Sequence, residues 1–154
     1  MYSQHTNISL RPATSNGIRV LMLSTDSNIF EKNSVVRARM IEYGTLVEHL
    51  DIIILSKNKK ELEEISARVT AHSTCSNSRL GAFFYAIRIG KHLGNVDLVT
   101  AQDPFETGFS GWRIARALDA RLELQVHTDF MSSYFACHSL LNYVRVRLAK
   151  FNNE

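Results

Sequence analysis

A short polar stretch carries the residues of this chain best placed to hold a ligand. In AQDPFETG, directly after the apolar run VDLVTA, Gln102, Asp103 and Glu106 surround Pro104 and Phe105. The residues that follow have helical spacing, and a helix N-terminus favours anionic or hydroxyl-bearing ligands. We therefore treat this stretch as a candidate substrate-binding loop.

The same stretch also has a purely structural interpretation. Asp103 suits the N-cap of the following helix, Pro104 suits its first position, and Glu106 completes a capping box three residues after the cap. That interpretation explains Asp103 and Pro104, but it gives no role to Gln102 or Phe105. Both interpretations stay open, and Thr107 belongs to the candidate loop under the functional one.

A second candidate group is QVHTDF, at the end of the last apolar run. His127 is the candidate catalytic residue, with Thr128 and Asp129 as substrate contacts, because a histidine beside a ligand crevice can exchange protons or hold an anion. A structural histidine, followed by an aspartate that caps the next segment, is the alternative.

The loop after the first apolar run supplies a third group. Thr25, Asp26 and Arg37 are candidate substrate contacts, although solvated charges are the default interpretation of the last two. No glycine lies between Gly17 and Gly44, so the glycine-rich phosphate turn of dinucleotide-binding domains is absent. We expect neither an NAD nor an ATP site, and no cofactor.

The remaining histidines and cysteines do not predict a metal site. Their spacing matches no metal-ligand pattern, and no catalytic triad follows from their order. The residues concerned are His72, Cys75, His92, Cys137 and His138.

These groups must be positioned by alternating strands and helices. The predicted strands are the apolar runs at 18–24, 51–56, 68–74, 96–101 and 121–127, and the segments between them are predicted helices. One of these, KNKKELEEISARV, is strongly charged. Another, SRLGAFFYAIRIGKHL, has one apolar face, formed by Leu80, Phe83, Phe84 and Ile87.

This pattern predicts an α/β fold, a Rossmann-like three-layer domain with a mostly parallel sheet in the strand order 3-2-1-4-5. Ligands of such sheets bind at the carboxyl ends of the strands, where the order reverses. The three candidate groups then meet in one crevice. The last strand, RLELQVH, alternates apolar and polar residues, which indicates an edge or a poorly covered strand.

Composition limits the alternatives. The chain has 154 residues, 45% of them hydrophobic, and a formal net charge of +3. Its scattered basic residues do not favour nucleic-acid binding. No apolar run is long enough to span a membrane, and two cysteines without a secretory signal favour a cytoplasmic location. We expect a polar, disordered tail at 1–17 and one domain at 18–154.

Three stretches together resemble the N-terminal domain of bacterial family-4 glycosyltransferases. They are IRVLMLSTDSNIFEKNSVVRARMIEYG, VDLVTAQDPFETGFSGWRIARAL and LELQVHTDF. The resemblance implies a retaining hexosyltransferase of the GT-B type, built from two Rossmann-like domains. It also implies that this chain is the acceptor-binding half. Asp103 and Pro104 fall on the family's Asp-Pro pattern, and His127 falls on its histidine near the reacting sugar.

The family's donor-binding domain has no counterpart in these residues. The implied partners are therefore a missing donor domain or subunit, a nucleotide-sugar, and an acceptor glycan or lipid-linked acceptor of cell-envelope polysaccharide. The chain alone is expected to be inactive. A non-catalytic interaction module or a split-enzyme subunit is the alternative, and a flavodoxin-like or receiver-type domain is a further one.

The C-terminal residues from Ser139 onward predict an amphipathic helix. Leu141, Val144, Leu148 and Phe151 form an apolar stripe flanked by basic residues. An ordinary helix packed on its own sheet explains this pattern. Peripheral contact with the inner face of a membrane is the alternative.

Overall fold

A computed structural model describes residues 17–57 and 62–125 of the chain. Apolar runs form the strands, and the first two helices begin at serine caps. Ser34 and Ser78 accept hydrogen bonds from the amides of Arg37 and Gly81, which satisfies donors that a helix start leaves free. The strands are β1 (Arg19–Ser24), β2 (His49–Ile54), β3 (Leu62–Ser66), β4 (Val69–Ser73), β5 (Leu98–Ala101) and β6 (Arg121–Leu124). The helices are α1 (Val35–Gly44), α2 (Arg79–His92) and α3 (Glu106–Leu118), with a 3-10 turn at Ser27–Phe30.

The strands form one six-stranded sheet in the order β3-β4-β2-β1-β5-β6. All neighbours are parallel except β3 and β4, which are antiparallel. The α/β class and the mostly parallel sheet agree with the sequence prediction. The strand order differs from the predicted 3-2-1-4-5, because an additional strand, β3, lies at one edge.

Strand β3 corrects the helix predicted for KNKKELEEISARV. Leu62–Ser66 is an edge strand on which Glu64 is exposed and Ile65 is buried, while the Glu63 side chain is largely buried in an ion pair with Arg37. A two-residue turn joins β3 to β4, and the register shifts between Glu64 and Ser66. Charge at an edge also discourages pairing with another chain.

Helices cover both faces of the sheet. Alternate residues of β1 point to opposite sides, so Val20 and Met22 pack with α1 and the 3-10 turn, while Leu21 and Leu23 pack with α2 and α3. The result is a three-layer, doubly wound domain. The strand order reverses between β1 and β5, and this defines the switch point.

Helix α2 uses a different face from the predicted one. Its buried residues are Ala82, Ala86 and Gly90, whereas Leu80 is 74% exposed and Phe84 is 65% exposed. Small residues face inward because α2 packs closely on α3: a Cβ at Gly90 would lie 2.5 Å from Cδ1 of Ile114. Large side chains are excluded from this contact.

Several predictions fall outside the described residues. These are the tail over residues 1–16, the end of the last predicted strand with His127, Thr128 and Asp129, and the amphipathic C-terminal helix. Within the described residues, β6 is an edge strand, as its alternating pattern indicated.

Candidate functional site

The crevice begins where β1 ends at the switch point. Ser24 is buried, and its hydroxyl accepts a hydrogen bond from the amide of Asp26 at 3.0 Å. The Asp26 carboxylate in turn accepts from the amide of Asn28 at 3.0 Å and caps the 3-10 turn. Asp26 therefore shapes the loop, and Thr25 between these residues is exposed.

A direct hydrogen bond joins this loop to the one that follows β5. Ser24 Oγ donates to Oε1 of Gln102 at 2.5 Å, although the two residues are 78 positions apart in the sequence. The backbone N–H of Gln102 also donates to the carbonyl of Leu23 at 3.2 Å. Two of the three predicted loops are thus brought together. We call residues 24–28 and 102–107 the switch-point crevice.

Asp103 organises the turn before α3, but it is not the helix cap that the sequence predicted. Its carboxylate accepts from the Phe105 amide at 2.8 Å and from the Thr107 hydroxyl at 2.7 Å. The Asp103 amide donates to the same hydroxyl at 3.1 Å. The helix begins later, at Glu106, with Phe105 at the cap position. Pro104 is therefore outside the helix.

The candidate residues of this turn divide by exposure. Thr107 is fully buried, so its hydroxyl supports Asp103 and does not reach a ligand. Gln102, Phe105 and Glu106 are half-buried, and Glu106 is acidic in the first turn of the helix, where a negative charge is stabilised by the helix dipole.

Arg37 has structural partners. Its guanidinium donates to Oε1 of Glu63 on β3 at 2.7 Å and to the Ile29 carbonyl at 3.3 Å. The side chains of the ion pair are only 14% and 13% exposed. The pair ties α1 to the edge strand, so these contacts direct Arg37 away from a ligand.

A buried polar pair lies in the sheet, and the sequence reasoning missed it. Asp51 on β2 is 6% exposed and His72 on β4 is 8% exposed. Nε2 of His72 lies 2.9 Å from Oδ1 of Asp51, and His49 Nε2 lies 3.7 Å from the same oxygen. The signal was available, because a carboxylate that opens the apolar run DIIIL needs a partner when the run is buried.

The described residues contain no metal-ligand cluster and no helix that could span a membrane. Over 17–57 and 62–125, no cluster of three or more histidine, cysteine or acidic residues is arranged to hold a metal ion. None of the helices in these two ranges has the length and apolarity needed to cross a bilayer.

The fold and crevice define an α/β domain with its polar loops at the switch point of a doubly wound sheet. No protein-family model, no curated protein and no solved structure matches the chain.

Proposed function

We propose that this chain is the acceptor-binding half of a retaining glycosyltransferase, with the switch-point crevice as its acceptor site. The observation that carries the proposal is the Ser24–Gln102 hydrogen bond. It joins the ends of β1 and β5 where doubly wound sheets bind their ligands. The resemblance of the three sequence stretches to family-4 enzymes supplies the class of ligand.

The polar groups of the crevice suit a neutral, hydroxyl-rich ligand. Thr25 is exposed beside the Ser24–Gln102 bond, and Phe105 offers an aromatic ring at the start of α3. Sugar hydroxyls donate and accept hydrogen bonds, and a threonine hydroxyl can do both. Transfer would require a donor-binding domain or subunit that holds the nucleotide-sugar and excludes water, so the chain alone would be inactive.

Saccharide titration of the 15N-labelled 154-residue chain tests the proposal. The probes are the methyl glycosides of glucose, galactose, mannose and N-acetylglucosamine. We expect one of them to shift the amides of Thr25 and Gln102 saturably. Thr25→Val should weaken this binding about fivefold, the value of one hydrogen bond of about 1 kcal/mol.

Thr45→Val is the matched control, because Thr45 is also exposed but lies between α1 and the start of β2, at the opposite end of the parallel strands from the crevice. It should bind like the unmodified chain. If none of the four glycosides shifts the crevice amides saturably, the acceptor-site proposal fails.

We further propose a cytoplasmic location with peripheral contact at the inner membrane face, where a lipid-linked acceptor would be available. The basic amphipathic pattern from Ser139 onward supports it. Co-sedimentation should be stronger with anionic than with neutral liposomes. Equal binding to both would remove the electrostatic basis of the proposal.

An interaction module is the second candidate, and the exposed apolar face of α2 favours it. Leu80 and Phe84 are mostly exposed, and Phe83 stacks on Phe109 of α3 with ring centroids 5.4 Å apart. If the chain is an interaction module, Phe84→Ser should disrupt the complex that the tagged chain forms with its partner, and Thr25→Val should leave that complex intact. Size-exclusion chromatography of the two variants distinguishes the candidates.

A further inference from the structure

A second polar recess lies away from the switch-point crevice. It has a volume of about 450 Å³ and opens between the end of β4 and helix α2. A smaller recess of about 300 Å³ adjoins it and shares His72, Arg88 and Ile89. We call the larger one the β4–α2 cavity. It is lined by Leu62, His72, Ser73, Thr74, Cys75, Tyr85, Arg88 and Ile89.

The imidazole of His72 presents one nitrogen to this cavity. An ionised carboxylate only accepts hydrogen bonds, so Asp51 holds the proton of His72 on Nε2. When the ring carries no second proton, its lone pair lies on Nδ1. No hydrogen bond from the described residues reaches Nδ1. Asp51 thus fixes a buried acceptor at the cavity wall.

Arg88 supplies a positive charge at the same wall. Its guanidinium lies 5.9 Å from the ring centroid of Tyr85. Among the residues that the structure describes, no carboxylate forms a salt bridge with it. A guanidinium has five N–H donors in a planar fork, which suits two oxygens of one anion.

Two of the hydroxyls that line the cavity already have partners. Thr74 Oγ1 donates to the Ser56 carbonyl at 3.1 Å, and Ser73 Oγ accepts from the Cys75 amide at 3.2 Å. The groups that remain for a ligand include the donors of Arg88 and Nδ1 of His72, with Tyr85 beside them in the lining. A ligand that fits both has anionic oxygens and a hydroxyl on one centre.

A phosphate group has both, because a singly protonated phosphate offers acceptor oxygens and one O–H donor. We propose that the β4–α2 cavity binds a phosphate or phosphate monoester, with Arg88 donating to two of its oxygens and Nδ1 of His72 accepting from its hydroxyl. The site is separate from the switch-point crevice and does not depend on the glycosyltransferase proposal.

A comparison of sulfate with phosphate separates the contribution of Arg88 to binding from that of His72. It resembles phosphate in shape but carries no hydroxyl near neutral pH, so it can use Arg88 and not Nδ1. The 15N-labelled full chain is titrated separately with inorganic phosphate and with sulfate, at constant ionic strength and at about pH 8, where phosphate is mostly singly protonated and an ordinary imidazole is neutral. We expect saturable shifts of the Cys75 and Arg88 amides, with phosphate bound about tenfold more tightly than sulfate.

Two arginine variants complete the test. Arg88→Gln should abolish the saturable shifts. Arg88 lies at an exposed position of α2, so the variant should fold, and circular dichroism verifies this. Arg113→Gln is the matched control, because Arg113 is also exposed on a helix and lies 5.9 Å from the Trp112 ring centroid. It should bind phosphate normally. Equal affinity for sulfate and phosphate, shifts that stay linear, or binding that survives Arg88→Gln would overturn the proposal.

Discussion

The switch-point crevice and the β4–α2 cavity differ in what their polar groups are bonded to. In the crevice, Ser24 is bonded to Gln102, and Asp103 is bonded to Thr107. In the cavity, the Arg88 guanidinium and Nδ1 of His72 have no hydrogen-bond or ion-pair partner among the described residues, and the guanidinium lies over the Tyr85 ring. The polar groups of the switch-point crevice are thus largely bonded to one another and support the loop itself. The cavity between β4 and α2 has a donor and an acceptor that remain for a ligand.

The largest effect is expected from removing the carboxylate behind the cavity. Asp51→Ala leaves the Nε2–H of His72 buried without its acceptor, and we expect a loss of about 3 kcal/mol in the free energy of unfolding. Urea denaturation measures it. Asp97→Ala is the control, because Asp97 accepts from the Arg19 amide at an exposed site and should cost less than about 1 kcal/mol. Similar losses in both variants would show that the Asp51–His72 pair is not a special feature of the cavity.

A smaller effect is expected where α2, which forms the cavity wall, meets α3. Gly90→Ala would place a Cβ 2.5 Å from Cδ1 and 2.8 Å from Cγ1 of the buried Ile114, and such overpacking costs about 1–3 kcal/mol. At Gly111 the nearest atom would be Cδ1 of Leu122, 3.3 Å away. Gly111→Ala should therefore stay near the unmodified stability, since alanine also favours the helix. Thermal unfolding compares the two, and equal stabilities would contradict the close α2–α3 contact.

The smallest changes in stability are expected for two threonines of the crevice, of which Thr107 supports the turn and Thr25 is proposed to contact the ligand. Thr107→Val removes a buried hydroxyl that bonds to both the carboxylate and the amide of Asp103, so we expect a loss of about 1–2 kcal/mol. Thr25→Val changes an exposed hydroxyl and should alter stability by less than about 0.5 kcal/mol. Chemical denaturation of both variants checks this. A greater loss in Thr25→Val would reverse the roles given to these threonines.

The sequence was sufficient to predict most of the sheet. The apolar runs of β1 and β2 are buried on both faces of the sheet. In a sequence that alternates such runs with helical segments, a short continuous apolar run predicts a buried parallel strand. The edge strand β3 was missed because its charged composition is the same as that of a solvated helix. Glu64 is exposed, and Glu63 is buried through an ion pair with Arg37, which is distant in the sequence. The inward face of α2 was mispredicted because close packing on α3 selects Ala82, Ala86 and Gly90 over the larger aromatic residues.

The candidate site was less accessible to sequence reasoning. The turn residues around Asp103 were recognisable, but a cap and an Asx-type turn use the same residue types, and only the backbone distinguishes them. The Ser24–Gln102 and Asp51–His72 contacts join distant positions on strands that become neighbours only in the folded sheet. The strand register that creates such pairs cannot be read from local spacing.

The measurement that tests the comparison most directly is a pair of titrations on one 15N-labelled sample of the full chain. The saccharide probe should shift the amides of Thr25 and Gln102, and inorganic phosphate should shift those of Cys75 and Arg88. The account predicts two separate, saturable sets of shifts, so that one ligand leaves the other's set unchanged. If both ligands shift the same amides, or if neither set saturates, the division of the molecule into an acceptor crevice and a phosphate cavity is wrong.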